Sequence, residues 1–520
     1  MRRWYTLIEI LQFPLQVLFL AMVFMGLSGV ILNPNFNTIF NINNALVIQI
    51  AEMFRYFGGF IIMNFPMLIL IKALAKRYDD SVVVFTGILG YVMFHVVTMF
   101  FAPTNLPSQA YYALLGIQVD AATLMDSTTT GILTPLQTGV VGLVIVLSIT
   151  RWSYHSSRNR FTYGALGFID RNVQAAINTV FFSMLAGAIV AFFWPWFIRG
   201  SVSMFTFLSE DLNNPINLFM YGILDRLYAV LNMSGLLRGL FWFTGLGGTW
   251  INPFGQTFLG DINVWISQTS YSIFGLGAGR LITPYFVLNI FAVPAMLAGI
   301  YGVYTDKMER RRYRLFFILA GLVSAISGTL LPLEIFLLVS APLLFFFHLL
   351  MTGSIFALFE ALNVYLGYTF SGNPLTATPG SIIDMIVYWR NVDLMKTLLI
   401  IVLVGSITGL LYLAATTYYF RKGAVNLVDV NELEHRLSAF LASVGGVDNI
   451  RMIHAAPTKL TVQVYDRSVI DFSKIHHYDV SRIVETRAGY SLSYGAPSHM
   501  LWEEVMKLKK QLPIVETKSA

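Results

Sequence analysis

Asp225 and Arg226 stand side by side in the apolar stretch INLFMYGILDRLYAVLNMSGLLRGLFWFTG, residues 216–245, which also carries Asn232, Ser234 and Arg238. Ionisable groups at membrane depth are costly, so they mark a candidate functional site. A guanidinium with a carboxylate as counter-charge donates well to hydroxyl groups. The competing reading is an interfacial helix whose arginines reach the headgroups, and the stretch by itself leaves both open. Glu334 sits in a second apolar block beside Pro332; it either lines a polar cavity or caps a helix in a structural role. His348, inside the apolar run from Pro342 to Met351, reads as a hydrogen-bonded core histidine rather than a ligand. Trp242, next to the candidate site, fits equally a ring stacked on a ligand and a membrane-interface aromatic.

Other chemistries lack their residues. Cysteine is absent, which removes disulfides, thiolate metal sites and cysteine nucleophiles. There is no G-x-G-x-x-G, no Walker loop and no H-E-x-x-H, and no lysine follows Gly245-Leu-Gly-Gly248 to make it a phosphate loop. His476-His477 is a lone adjacent pair without metal-site spacing, so neither a metal nor a cofactor is expected.

The elements that must position these residues are membrane helices. Of 520 residues 56% are hydrophobic and 12% charged, and the mean hydropathy is +0.66, which excludes an ordinary soluble enzyme. Apolar runs near the ~20 residues a helix needs to cross a bilayer occur at 13–33, 56–75, 81–101, 131–150, 177–198, 283–304 and 396–419. The run from Phe13 is too long and too poorly terminated for a cleaved signal peptide and is expected to be a retained span. The block 314–370, interrupted by Pro332, Glu334, Pro342 and several glycines, is expected to mix full spans with re-entrant segments. Basic clusters at Arg2/Arg3, Lys72 to Arg77, Arg151 to Arg171, Lys307 to Arg314 and Arg421/Lys422 place those loops and both termini in the cytoplasm. An even number of crossings follows, taken as ten, with eight as the alternative. Arg199 is the one basic residue outside this scheme. The net charge of +6 is spent on these loop clusters, so no nucleic-acid partner is expected. Trp and Phe at 192–197 read as an interfacial belt.

Beyond Arg421-Lys422 the composition changes: 24 charged residues fall in the last hundred positions, against 38 in the 420 before them. Residues 430–446 carry helical periodicity ending at Gly445-Gly446. Lys459 to Tyr465 alternates like a half-buried strand, 481–494 holds two more short strands, and Leu501–Leu512 is a charged amphipathic helix. A small α+β module is expected.

Several of these segments, in this order, resemble the sugar permeases of the bacterial phosphoenolpyruvate-dependent phosphotransferase system, in the glucose/maltose superfamily with fused enzyme IIC and IIB domains. Gly328-Thr-Leu-Leu-Pro-Leu-Glu-Ile335 and then Ser340-Ala-Pro-Leu-Leu-Phe-Phe-Phe-His348 look like the G-x-T-E-P-x-E-F motif and its following helix. Asp225-Arg226-Leu227 running on to Phe243-Thr244-Gly-Leu-Gly-Gly-Thr249 and Gly255-Gln-Thr257 parallels a maltose-type segment. Phe370-Ser371-Gly372 with Ile383-Asp384 resembles F-S-G-x-x-x-D, split by an insertion. In the tail, Gly445-Gly-Val-Asp-Asn-Ile450 and Thr458-Lys-Leu460 resemble the IIB pattern G-G-x-x-N-I and its cysteine loop.

The resemblance implies an enzyme IIC-like transport domain over 1-425 and an enzyme IIB-like cytoplasmic domain over 430-512. It implies a bacterial inner-membrane location, a homodimer, a sugar substrate, and enzyme IIA, a separate IIB or a cytoplasmic regulator as further partners. The departures bear on the reaction. Ala456 stands at the phosphocysteine position, and a methyl group cannot accept a phosphoryl group; the two loop arginines are Lys459 and Thr461. The paired histidines are replaced by Ser234 and Gly235, and the first glutamate of T-E-P-x-E by Leu331, while Glu334 keeps the second. No catalytic residue is therefore assigned. The candidate substrate contacts are Arg226, Ser234, Gly235, Thr329, Glu334 and Trp242. The expected fold is a polytopic α-helical membrane protein of about ten helices plus re-entrant segments, with a small C-terminal α+β IIB-like domain. The expected function is a sugar permease; a non-transporting sugar sensor or a facilitator of unmodified sugar are the alternatives.

Overall fold

Proline, asparagine and glycine decide where the apolar runs break. The computed structural model describes residues 2–33, 41–42, 44–78, 80–120, 131–159, 170–328, 330–368, 379–423, 430–475, 480, 482–486, 489–495 and 497–511. Helix α1 (Arg2–Leu32) is followed by α2 (Ala45–Met63) and α3 (Phe65–Tyr78). The expected single span over 56–75 is thus two helices. Pro66 has no N–H to offer the preceding turn. The Asn64 side chain donates to the Phe60 carbonyl at 2.8 Å and accepts from the Leu115 N–H at 2.9 Å, so the break is satisfied internally. Helix α4 (Ser81–Phe101) starts at Asp80, whose carboxylate caps the Val82 N–H.

The span expected over 131–150 also shifts. Ile132–Leu133 (β2) pairs antiparallel with Val119–Asp120 (β1), and helix α5 runs from Gly139 to Asn159. Gly139 has φ +53°, and a Cβ there would meet the Leu231 carbonyl oxygen at 2.1 Å, so only glycine lets α5 begin against that turn. Helix α6 (Arg171–Ser209) holds 39 residues, ~58 Å of helix, more than a bilayer core needs. Arg199, on α6, donates to the Asn105 side chain at 3.0 Å.

The second half is built of shorter pieces: α7 (Pro215–Val230), α8 (Ser234–Phe243), the hairpin β3 (Thr249–Ile251) with β4 (Thr257–Leu259), and α9 (Asp261–Ser270). Helix α10 (Thr283–Gly302) contains a π turn at Leu288–Ala292. Helix α11 (Lys307–Ser327) ends on Gly328 in the left-handed conformation, then come α12 (Leu331–Ser340), α13 (Pro342–Ala361), α14 (Ile382–Tyr388) and α15 (Met395–Tyr418). Asp384 closes a capping box with Ser381 and accepts from Asn33 at 2.9 Å, which ties α14 to the end of α1. Among the described residues, seven helices are long and apolar enough to cross a membrane: Leu7–Leu32, Ala45–Met63, Ser81–Phe101, Arg171–Ser209, Thr283–Gly302, Pro342–Ala361 and Val392–Lys422. The chain is a polytopic helical protein whose many large apolar side chains face outward, as on Phe192, Phe193 and Trp196.

The C-terminal segment has its own apolar core, around Phe440, Ile453, Leu460, Val462, Leu492, Leu501 and Val505. Helix α16 (Val430–Ser443) and helix α17 (Ser498–Gln511) accompany an antiparallel sheet of β5 (Ile450–Ala455), β6 (Leu460–Val464), β7 (Ile483–Thr486) and β8 (Gly489–Leu492), in the order β5-β6-β8-β7. The strands foreseen at 459–465 and 481–494 are present; β5 breaks alternation at its start, where its register with β6 shifts between Ile450 and Met452. Thr305, in the turn between α10 and α11, joins the two parts: its N–H donates to the Ala455 carbonyl at 3.0 Å and its Oγ1 accepts from the Ala455 N–H at 2.7 Å. Arg421 donates to the Gly302 carbonyl at 3.0 Å beside it.

Candidate functional site

Two helix breaks and a close glycine crossing bring the buried charges together. Between α7 and α8 the chain reverses at Asn232 (φ +59°), and the turn is fastened on several sides. The Leu231 carbonyl accepts from Val140 N–H at 3.1 Å, the Asn232 carbonyl from Gln137 Nε2 at 3.2 Å, and Asn232 Nδ2 donates to the Met63 carbonyl at 3.3 Å. Helix α7 meets α13 at Gly222 and Gly353; a Cβ on Gly222 would lie 3.1 Å from the Gly353 Cα, so the backbones approach as only small residues allow. Arg226, one turn beyond Gly222, is thereby set against α12 and α13.

The result is one continuous buried network. Asp225, fully buried, accepts from Arg238 Nε at 2.8 Å on Oδ1, and on Oδ2 from the Tyr285 hydroxyl at 2.6 Å and Arg226 Nε at 2.9 Å. A further Arg226 Nη2 bond reaches the same oxygen. Arg226 Nη1 donates to Glu334 Oε1 at 2.9 Å, and the same oxygen contacts His348 Nε2 at 3.0 Å. His348 Nδ1 lies 2.8 Å from the Tyr412 hydroxyl. Because a carboxylate only accepts, His348 Nε2 carries the proton in the contact with Glu334, and the Tyr412 hydroxyl lies against Nδ1. Two arginines face two carboxylates, so their charges cancel within the buried cluster. The arginines also stack: Arg226 lies 5.0 Å from the Tyr285 ring centroid, and Arg238 lies 5.3 Å from those of Tyr285 and Trp242. One atom is left out. Glu334 Oε2 is buried and has no hydrogen-bond partner among the described residues.

Of the expected contacts, the structure brings Arg226, Glu334 and Trp242 into this cluster. Ser234 and Gly235 open helix α8 and are buried, but among the described residues no side-chain hydrogen bond joins Ser234 to the charges. The physical reason is the reversal at Asn232: it aims the second turn of α8, not the first, back at Asp225, so Arg238 fills the place expected of Ser234. Thr329 lies outside the described residues, as do Phe370-Ser371-Gly372 and His476-His477. The interfacial reading of 216–244 fails, since Asp225, Arg226 and Arg238 are all buried in the helix assembly rather than reaching outward. Glu334 is a cluster member as well as a first-turn residue of α12. His348 is a hydrogen-bonded core histidine, with the addition that its partners are Glu334 and Tyr412.

Arg238 carried a signal, a second arginine within the same apolar stretch. Tyr285 and Tyr412 carried none: each is one tyrosine in an apolar helix, separated from Asp225 and His348 by 60 and 64 residues.

In the tail, Ala456 is buried at a tight turn whose N–H donates to the Lys459 carbonyl at 2.8 Å. Lys459 is exposed and Thr461 pairs with His454 within the sheet. The turn follows directly on Ala455, the residue bonded to Thr305, and Glu309 on α11 lies in the field of Lys459 and His454. The turn is therefore held against the membrane body. A scan against protein-family models finds no match to this chain.

Proposed function

We propose that this protein is a sugar permease similar to the glucose/maltose phosphotransferase type, moving its substrate without phosphorylating it. The observation that carries this reading is the Asp225–Arg226–Arg238–Glu334 cluster, sealed among apolar helices at the junction of the broken helices α7/α8 and α12/α13. Discontinuous helices with charges at their junction are where carriers hold polar solutes, and guanidinium forks with carboxylates match vicinal hydroxyls. Ala456 supports the absence of a phosphoryl step, since it offers no nucleophile. The reading includes ten crossings, both termini in the cytoplasm of a bacterial inner membrane, and a homodimer, with Thr329 and the aromatic Trp242 near the sugar. Enzyme IIA or a separate IIB has no acceptor in the tail on this account.

The test is uptake of radiolabelled glucose, maltose, trehalose and N-acetylglucosamine by proteoliposomes, with and without phosphoenolpyruvate and the general phosphotransferase proteins, recovering the sugar for its chemical form. Free sugar inside the vesicles is expected; sugar phosphate would overturn the reading of Ala456, Ser234 and Leu331. A sugar that raises the melting temperature of the detergent-solubilised protein should no longer do so in Arg226→Ala. An unchanged shift in that variant places the site elsewhere.

One observation favours a second reading, a sugar sensor. The Thr305–Ala455 bonds couple the tail to the turn between α10 and α11, and α10 supplies Tyr285 to the buried cluster. Binding without uptake would select it.

A further inference from the structure

Glu334 is bonded through one oxygen only. Its Oε1 takes both the Arg226 Nη1 donor at 2.9 Å and the His348 Nε2 donor at 3.0 Å, whereas Oε2 is buried without a partner among the described residues. An orphaned carboxylate oxygen at this depth is expensive, and it is tolerated because Arg226 neutralises the group from the other side. Arg226 has a different bonding pattern. Its Nε and Nη2 are committed to Asp225, and only Nη1 serves Glu334. A hydroxylated ligand that draws Nη1 to itself leaves Arg226 held by Asp225 but strips Glu334 of its cationic donor. The His348 Nε2 contact remains on Oε1, and the Tyr412 hydroxyl lies against the other ring nitrogen. The free acceptor is then Oε2.

We propose that the protein is a proton-coupled sugar symporter in which Glu334 takes up one proton on Oε2 when the sugar claims Arg226 Nη1, with His348 and Tyr412 as positioning residues. This rests on the permease reading given above. The proton comes from the acidic aqueous side and stays on the carboxyl oxygen; no covalent bond to the sugar forms or breaks. Every group facing the pair enters the balance: Asp225 and Arg226 from α7, Arg238 from α8, Tyr285 from α10, Tyr412 from α15 and Thr352 on α13 itself. Among these, two arginines and two carboxylates cancel in the empty state. The loaded state carries one positive charge, so an inside-negative potential draws the loaded form inward, and neither ligand is held well without the other. That mutual dependence is reciprocal coupling between two sites. It also supplies the energy source that the missing phosphocysteine removes.

The experiment uses the full chain in proteoliposomes containing a trapped pH dye, with the same four radiolabelled sugars. Under an acid-outside gradient a transported sugar should accumulate above equilibrium, about tenfold per pH unit at one proton per sugar. The vesicle interior should acidify only when that sugar is added, a protonophore should return accumulation to equilibrium, and Glu334→Gln should abolish sugar-dependent acidification. The wild-type dye signal decides the matter even where Glu334→Gln does not fold. Uptake that stops at equilibrium with no proton movement overturns the coupling and leaves a facilitator. Sugar-dependent acidification persisting in folded Glu334→Gln overturns the assignment to Glu334. Absence of uptake for every sugar overturns the permease reading, and the coupling with it.

Discussion

Replacing Asp225 by alanine leaves Arg238 with no anionic partner, because both of its bonds, at 2.8 and 3.4 Å, go to that one carboxylate. Only the ring faces of Trp242 and Tyr285 remain to it. Arg226 keeps Glu334 through Nη1, and the Tyr285 hydroxyl loses its acceptor. Breaking a buried pair from one side costs about 3–5 kcal/mol, since the stranded charge stays desolvated. Arg238→Ala strands Asp225 less completely, because Arg226 still holds it, and should cost toward the lower end of that range, about 3 kcal/mol. The double variant Asp225→Ala/Arg238→Ala removes one charge of each sign and leaves Arg226 opposite Glu334, a neutral remainder. Its loss should be no greater than that of Asp225→Ala alone, an interaction energy of at least ~3 kcal/mol in the cycle. The assay is equilibrium unfolding in mixed detergent micelles, followed by tryptophan fluorescence, to which Trp242 contributes from the site as one of nine tryptophans. Additive losses in the double variant would refute the premise that the cluster is held by charge balance.

Two further outcomes concern the tail. Thr305→Val deletes the hydroxyl that accepts from the Ala455 N–H, worth about 1 kcal/mol, and should speed amide exchange at Ala455 and the neighbouring turn without changing the exchange of β8; equal exchange in both proteins would show that Thr305 does not hold the tail. Burial lowers the affinity of His499 for a proton below the ordinary histidine range, with Arg421 acting in the same direction. The folded tail therefore disfavours protonated His499, its stability is full above about pH 6.5, and it falls as pH drops through that value, where the unfolded chain binds the proton first. His499→Gln should flatten that acid-side decline in the exchange rates of α17; an identical decline in the variant assigns it to other groups.

Much of the membrane body was legible because length and apolarity are local properties. The runs at 13–33, 81–101, 177–198, 283–304 and 396–419 each lie on a helix of the structure, overrunning its end by two residues at most. The two that shifted, at 56–75 and 131–150, did so for backbone reasons that hydropathy does not weigh: Pro66 with Asn64, and Gly139 lodged against Leu231. In the tail, alternation revealed β6 but not β5, whose register with β6 shifts between Ile450 and Met452. For the site, Asp225, Arg226, Arg238 and Glu334 stood out as charges in apolar sequence.

Composition and local patterning determined that the chain is a polytopic helical protein, that a charged α+β segment follows it, and that the tail has no thiol at the turn around Ala456. These follow from solvation and from the presence or absence of particular atoms, and need no knowledge of neighbours. Tertiary structure decided which charge meets which. Asp225 is claimed by Arg238 and Tyr285 rather than by Ser234, because Asn232 reverses the chain there. Glu334 joins Arg226 and His348 because Gly222 and Gly353 let α7 and α13 touch, and Tyr412 completes the chain from a helix 64 residues away. Sequence spacing encodes contacts along one helix, whereas a buried charge is neutralised by whatever the packing of several helices places beside it.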